Sequence, residues 1–438
     1  MAITDKLAVA GGPPIVSTAD HALWPDITDE DRAGVLAVLD RGVLCGTDAP
    51  AVTGLEREWA EYLGVAHCLA TNSGTAALHT AIAALGISPG AEVIVPAYTY
   101  IATAAAVAHH GAVPVFCDID ERTFNIDPAR IEERVTERTA AIMPVHLHGL
   151  PADMEAIQAV ADRHGLAVIE DAAQAHGATY KGKRAGALAD CAGFSLNQTK
   201  NLAGGEGGLF VTNDPELFAI ARRFSNRGEP VPNIGPGEFR IKSYVSHGLG
   251  WNYRLQELPA AVARSQLRRL DAYTQNAQRN AAILNEGLSA LTGLTTPYVP
   301  ADRTSVFYKY RVGFDREALG AAVGASELRD RLIRALRAEG VEALLWQTEP
   351  LPAYPAFRRE VYGPWYPAQD SEPLRPWDPA EYPVASRVLD SSFILGSEHH
   401  PIIIQDSALM EAYVEAFAKV LSNLEAVLAR PFEPLQFD

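Results

Sequence analysis

Two residues of this sequence have the types to do covalent and electrostatic chemistry together. Lys200 stands in Phe194-Ser195-Leu196-Asn197-Gln198-Thr199-Lys200-Asn201-Leu202, just ahead of Gly204-Gly205-Glu206-Gly207-Gly208. Asp171 closes the earlier run Ile169-Glu170-Asp171. A lysine amine can form a Schiff base with an aldehyde. A carboxylate at the other end of a pyridine ring can keep the ring nitrogen protonated, which turns the ring into an electron sink. The pair therefore reads as a site for pyridoxal 5'-phosphate. The glycines that follow Lys200 suit close approach of a cofactor to the backbone.

Such a pair needs a scaffold that brings distant segments together. Between residues 65 and 214, short β-branched runs alternate with alanine-rich stretches. Residues 92–96, 113–119, 140–147, 166–169, 192–196 and 209–212 read as strands, and the alternation predicts an α/β fold with a mainly parallel sheet between helices. Ser73 caps a helix over 74–85 that ends at Gly86, and a second helix covers 100–110 before Gly111. An amphipathic segment, 255–291, with Pro259 in its first turns, bridges to a smaller α+β unit. That unit is expected to hold strands at 306–314 and 342–346 and helices near 327–339 and 407–429. The division is a large unit over residues 1–275, including an N-terminal arm, and a small one over 276–438. The Pro- and aromatic-rich stretch 349–382 is too long for an idle connector and fits a lid or a substrate wall.

In open α/β sheets ligands bind just beyond the carboxyl ends of the strands. Thr71-Asn72-Ser73-Gly74-Thr75-Ala76 lies in such a place and serves either as a phosphate cradle at a helix start or as a plain N-cap. Asp171 has the alternative of capping the next helix. Tyr100 either stacks on a cofactor ring or packs at a helix start, and Ser195 either donates to a phosphate or is an ordinary polar residue. Gly177 to Lys183 nearly spells a P-loop, but Arg184 takes the position of the magnesium-binding Ser/Thr and no strand feeds it, so a hairpin turn is expected. No Gly-x-Gly-x-x-Gly follows the first strand. His146, His148, His399 and His400 lack a matching carboxylate pattern, so no metal site is expected.

The formal charge of −17 disfavours a nucleic-acid or anionic-membrane surface and favours a small metabolite as partner. An apolar content of 48% is enough to bury sizeable cores. Cys45, Cys68, Cys117 and Cys191 are scattered, with no disulfide or zinc spacing. No run reaches the length of a membrane span, and Gly11-Gly12-Pro13-Pro14 interrupts any signal-peptide core, so a cytoplasmic location is expected.

Taken jointly, Ser73-Gly74-Thr75-Ala76-Ala77-Leu78, the run from Val93 to Thr103, Pro144-Val145-His146-Leu147, the run from Ile169 to Ala178 and Thr199-Lys200-Asn201-Leu202 resemble the DegT/StrS-type family of sugar and cyclitol aminotransferases. These are fold-type I pyridoxal-phosphate enzymes. The resemblance implies that Lys200 carries the Schiff base, Asp171 pairs with the pyridinium nitrogen, Gln174 neighbours the phenolic oxygen and Tyr100 stacks on the ring. It gives Gly74, Thr75, Ala76 and Ser195 to the phosphate. It also implies a homodimer with composite sites, in which Asn252, within Gly250-Trp251-Asn252-Tyr253-Arg254-Leu255, reaches the phosphate of the partner subunit.

The implied reaction is ping-pong transfer of an amino group from glutamate or glutamine to a keto-sugar or keto-cyclitol, with Lys200 as the proton carrier. Leu345-Trp346-Gln347-Thr348-Glu349-Pro350-Leu351-Pro352 stands where many nucleotide-sugar members have Tyr-x-x-Pro-Leu-His, and Tyr382-Pro383-Val384-Ala385-Ser386 replaces Leu-Pro-x-x-Glu. With Trp24-Pro25 and Gly-Glu-Gly-Gly, these departures are more similar to the antibiotic-pathway branch acting on keto-cyclitols. Three rivals share or mimic the scaffold: a dehydratase, against which Lys200 argues because that branch has histidine, an aromatising synthase that keeps the lysine, and a cofactor-sensing regulator, for which this acidic chain lacks a DNA-binding part.

Overall fold

The alternation of apolar runs and helices folds as a seven-stranded sheet covered on both faces. The computed structural model describes residues 6–229, 246, 248–359 and 375–435. In chain order the strands of the first half are β1 (His67–Thr71), β2 (Glu92–Pro96), β3 (Val113–Cys117), β4 (Thr139–Ile142), β5 (Ala167–Asp171), the short pair β6 (Thr179–Tyr180) and β7 (Lys183–Arg184), then β8 (Cys191–Ser195) and β9 (Gly208–Thr212). The large sheet runs β1-β9-β8-β5-β4-β2-β3. Only β9 is antiparallel to its neighbours, β1 and β8; the remaining pairs are parallel. The predicted mainly parallel sheet is therefore present.

Each strand presents its side chains alternately to two cores. Val93, Val95 and Phe210 point to the face covered by α3 (Gly74–Ala84) and α4 (Ala102–His109). On the opposite face, Phe194, Leu209 and Val211 meet Trp59 and Leu255, next to the helices Pro50–Leu63 and Glu257–Leu267. Ile94, Ile142 and Val168 meet the helix Met154–His164 on that side. The near-P-loop segment is the expected hairpin, β6 to β7. Its two turn residues, Lys181 and Gly182, have φ of 48° and 79°, the left-handed geometry that a two-residue hairpin turn requires.

The second half builds a four-stranded sheet, ordered β10-β11-β13-β12, from β10 (Leu294–Thr295), β11 (Tyr310–Phe314), β12 (Ala343–Leu344) and β13 (Ser392–Leu395). Helices Leu270–Ser289, Ala325–Ala338 and Ser407–Ser422 pack with it around Leu284, Leu332, Phe393 and Phe417. The N-terminal arm also contributes to this core: Leu7, Val16 and Trp24 are buried in it. Ala8 N–H donates to Glu339 Oε1 (2.8 Å), and buried Lys419 donates to Pro13 O and to Glu339 Oε2.

Several elements differ from the expected spans. The run 140–147 pairs only as Thr139–Ile142, because Pro144 has no N–H to give the ladder; beyond it Val145 bridges Asp171 alone. The predicted strand 306–314 narrows to Tyr310–Phe314, since its first part bonds to the large unit instead. The 255–291 segment is two helices, Glu257–Leu267 and Leu270–Ser289, that meet near Arg268. β1 went unpredicted because His67-Cys68-Leu69-Ala70-Thr71 holds only one β-branched residue. Of the stretch 349–382, residues 360–374 lie outside the described residues; the flanking Leu351, Tyr382 and Leu389 join the core around α3 and α4.

Candidate active site

The carboxyl ends of β1, β5 and β8 converge on one cavity of 410 Å³. Ser73, Gly74, Thr75, Tyr100, Thr103, Asp171, Gln174, Ser195, Lys200, Tyr308, Trp346 and Glu398 are among its walls. Six of the predicted site residues besides Lys200 and Asp171 were Gly74, Thr75, Ser195, Gln174, Tyr100 and Ala76, and only Ala76 of these lies off the wall.

The phosphate end is built by close backbone approach. Ser73 Oγ accepts the N–H of Ala76 (3.1 Å), the N-cap bond of this helix. The preceding N–H groups of the helix start have no carbonyl one turn back to bond. A Cβ on Gly74 would meet Ser195 Cβ at 2.7 Å, and one on Gly208 would meet Ser73 O at 2.2 Å. Glycine is thus required at both places for β8, β9 and the start of α3 to meet. The result is a cluster of small residues at a helix N-terminus, a geometry suited to an anion.

At the other end Asp171 is buried, 4% exposed. Thr103 Oγ1 donates to its Oδ2 (2.7 Å) and Ala173 N–H to its Oδ1 (3.2 Å). Burial still pushes its carboxyl above the usual range, outweighing these bonds and the nearby Lys200 charge. The group is short of positive charge, and a protonated ring nitrogen would supply it. Gln174 is held in place as its Oε1 accepts the N–H of His148 (2.8 Å).

Lys200 sits in a loop fixed at both ends. Lys200 N–H bonds Asn197 O (2.9 Å), and Gly204 N–H bonds Leu196 O (2.8 Å). Trp24, from the N-terminal arm, donates its indole N–H to Gln198 O (2.8 Å). The Lys200 ammonium donates to the phenol oxygen of Tyr308 (3.2 Å). Tyr100 lines the cavity but is 55% exposed. Asn252 is exposed, paired with Asn226 beside the Asn72 turn, and does not line the cavity of its own chain.

Three cavity residues that sequence reasoning did not place in the site come from the second half. Tyr308 precedes β11, Glu398 follows β13, and Trp346 follows β12. Trp346 packs edge-on against Tyr98 and His148, with ring centroids 5.8 and 5.3 Å away. Gln347 ties the same segment down by donating to Thr99 O (2.6 Å). His148 is an acceptor from Arg311 Nε (3.2 Å), and burial together with Arg311 and Lys309 holds its imidazole well below the usual range. His146 instead bonds Glu170 (2.8 Å) in the core. Among the described residues no group of three or more His, Cys, Asp or Glu side chains could hold a metal ion, and no helix is long and apolar enough to cross a membrane. A separate cavity of 280 Å³ beside Glu56, Arg222 and Arg254 has no lysine in its wall.

A buried carboxylate, a lysine and a helix-start cradle at the strand ends of a mainly parallel sheet define a fold-type I pyridoxal-phosphate transferase. Residues 25–371 match the model of the DegT/DnrJ/EryC1/StrS aminotransferase family, and the chain belongs to that family. It is 44% identical over 320 residues to GDP-perosamine synthase of Caulobacter vibrioides, covering 73% of this chain and 82% of that protein. It is 40% identical over 322 residues to L-glutamine:2-deoxy-scyllo-inosose aminotransferase of Streptomyces lividus, covering 71% and 74%. Among solved structures, S. venezuelae DesV in complex with a ketimine intermediate superposes with a TM-score of 0.76 at 35% identity, covering 90% of this chain and 94% of that one. The protein is an aminotransferase and its cofactor is pyridoxal 5'-phosphate. The cavity fits that group: the under-compensated Asp171 suits the ring nitrogen, and the Gly74–Ser195 approach suits the phosphate.

Proposed function

We propose that the protein moves an amino group from glutamate or glutamine to the carbonyl of a keto-cyclitol or keto-sugar by a ping-pong mechanism, in an antibiotic or other secondary-metabolite pathway of the cytoplasm. The observation that carries this reading is the placement of Lys200 and Asp171 on one cavity. Bound there, the cofactor supplies an electron sink for charge that develops on the substrate carbon. Asp171 would hold the proton on the ring nitrogen, and the Lys200 amine would carry a proton between the two reacting carbons. Gly74, Thr75 and Ser195 take the phosphate, Gln174 the phenolic oxygen, and Tyr100 a ring face.

The second half supplies the acceptor wall. Trp346 offers an apolar face and Glu398 can accept hydrogen bonds from ring hydroxyls, as can Gln198 and Glu206 from the loop between β8 and β9. The names of the two curated relatives span the choice, one a GDP-linked sugar and the other a deoxy-inosose. The departures around Trp346 and Tyr382 favour the cyclitol side. We also propose a homodimer, in which exposed Asn252 serves the phosphate of the partner's site.

The test is an absorbance spectrum of the purified enzyme on adding glutamate or glutamine and then a panel of keto-cyclitols and nucleotide keto-sugars. A donor should shift the cofactor band and one class of ketone should restore it. A band that no amino donor moves would contradict the reading.

A further inference from the structure

Tyr308 lies outside every motif discussed above, yet it is the side chain that touches the Lys200 amine. It is 6% exposed, on the segment between β10 and β11. The bonds that hold that segment to the large unit include Val306 N–H to Gly149 O (3.0 Å), Asn201 Nδ2 to Val306 O (3.2 Å) and Lys309 N–H to His148 O (3.5 Å). Phe307, immediately before Tyr308, has a φ of 45°, an unfavourable conformation for an aromatic residue. Ser305 Oγ steadies the bend by accepting the Phe307 N–H (3.0 Å). The chain is bent at a cost, and the bend delivers the phenol to Lys200.

The bonds around the phenol have a direction. Lys200 Nζ donates to Tyr308 Oη (3.2 Å), which leaves the phenol O–H to donate to Thr199 Oγ1 (3.2 Å). Thr199 in turn donates to Asn197 Oδ1 (2.9 Å), whose amide is anchored on Glu206 (2.8 Å). Each donor thus has an acceptor, and the row ends on an amide carbonyl that needs no proton of its own. The charged groups around the phenol are Lys200 from the loop after β8 and Lys309 from its own segment; Lys200 also lies within electrostatic range of Asp171 and of His176, whose imidazole burial pushes down to about 3. The two lysines bring the phenol down to about 8 against the opposing effect of burial.

We infer that Tyr308 is the positioning residue for the Lys200 amine, holding it by hydrogen bond while it is free and carrying a proton. The inference rests on the proposal that Lys200 is the proton carrier. In the transfer the neutral amine takes one proton from a substrate carbon and becomes ammonium, then gives that proton to the second carbon and returns to amine. Tyr308 accepts a hydrogen bond throughout and neither gains nor loses a proton.

The experiment compares wild type, Tyr308→Phe and Lys200→Ala as holoenzymes, with Lys200→Met added for the cofactor-free titration. In the first, donor half-reaction rates for Tyr308→Phe should fall about tenfold to a hundredfold. The donor KM should stay within about twofold, with cofactor retained through gel filtration and a shifted alkaline limb in the pH profile. In the second, tyrosinate absorbance of the cofactor-free proteins should show one phenol titrating near pH 8 in wild type. That step should be absent in Tyr308→Phe and move to higher pH in Lys200→Met, which covers the case that Tyr308→Phe does not fold. Wild-type rates across the pH range in Tyr308→Phe, or an early tyrosinate step indifferent to both substitutions, would overturn the inference. A Lys200→Ala enzyme with full activity would instead sink the reading on which it rests.

Discussion

The floor of the cavity and its wall are made differently. The floor comes from the large sheet: Ser73 to Thr75, Asp171 to Gln174 and Ser195 to Lys200 each follow a strand directly, and their spacing is set by pleat and register. The wall comes from Tyr308, Trp346 and Glu398, three separate segments just beyond strands of the small sheet, tied to the first half by bonds such as Gln347 to Thr99 O. A floor determined by strand ends holds what all members of a chemical class need, the cofactor. A wall of separate loops can change one segment at a time, which is what a change of ketone requires.

That contrast predicts that floor substitutions act on the cofactor and wall substitutions on the acceptor. The largest effect is expected for Lys200→Ala, which removes the proposed covalent partner and proton carrier together; steady-state turnover should fall by more than about 10³-fold. Residual activity above that level would break the contrast at its centre.

Asp171→Asn should come next, with weaker cofactor binding and most turnover lost, read by equilibrium dialysis and initial rates. Its stability effect has the opposite sign. The carboxyl titrates above its usual 3.8 in the folded, cofactor-free chain. Between those two values the folded state binds more protons than the unfolded state, so stability falls as pH rises through the window, and the deficit is complete above the folded value. At neutral pH the cofactor-free Asp171→Asn protein should therefore melt no lower than wild type, while gaining less Tm from added cofactor. A lower Tm without cofactor would mean that the carboxylate is stabilised by something other than the ring nitrogen.

Trp346→Ala should leave the cofactor spectrum intact and lower kcat/KM for the accepted ketone by about 10-fold to 100-fold, the range of a lost apolar pocket contact. An equal loss with the amino donor would place Trp346 on the floor. The smallest effect is expected for Trp24→Phe, which loses the bond to Gln198 O and should cost about 1 kcal/mol. Thermal unfolding measures that loss, and faster cofactor release would show that the arm steadies the Lys200 loop.

The same contrast explains what the sequence disclosed. That Lys200, Asp171, Gly74 and Ser195 share one cavity was legible because each lies next to a recognisable strand or cap, and Gln174 came with the family resemblance. Tyr308 was not, because its neighbourhood depends on a positive-φ bend at Phe307 that no periodicity signals. Thr103, which bonds Asp171, was inside a quoted motif, but its partner is 68 residues away and only the fold brings them together. The N-terminal arm was assigned with the large unit from chain order, whereas Leu7, Val16 and Trp24 are buried in the small unit's core. Contacts between sequence-distant segments carry no local signal, and the substrate wall consists of them.

The central claim is that the strand-end floor binds the cofactor through Lys200. Borohydride reduction of the holoenzyme, followed by digestion and mass spectrometry, tests it directly. The account predicts the phosphopyridoxyl adduct on the peptide containing Lys200 and on no other lysine; an adduct elsewhere, or none on a protein that shows the cofactor band, would contradict it.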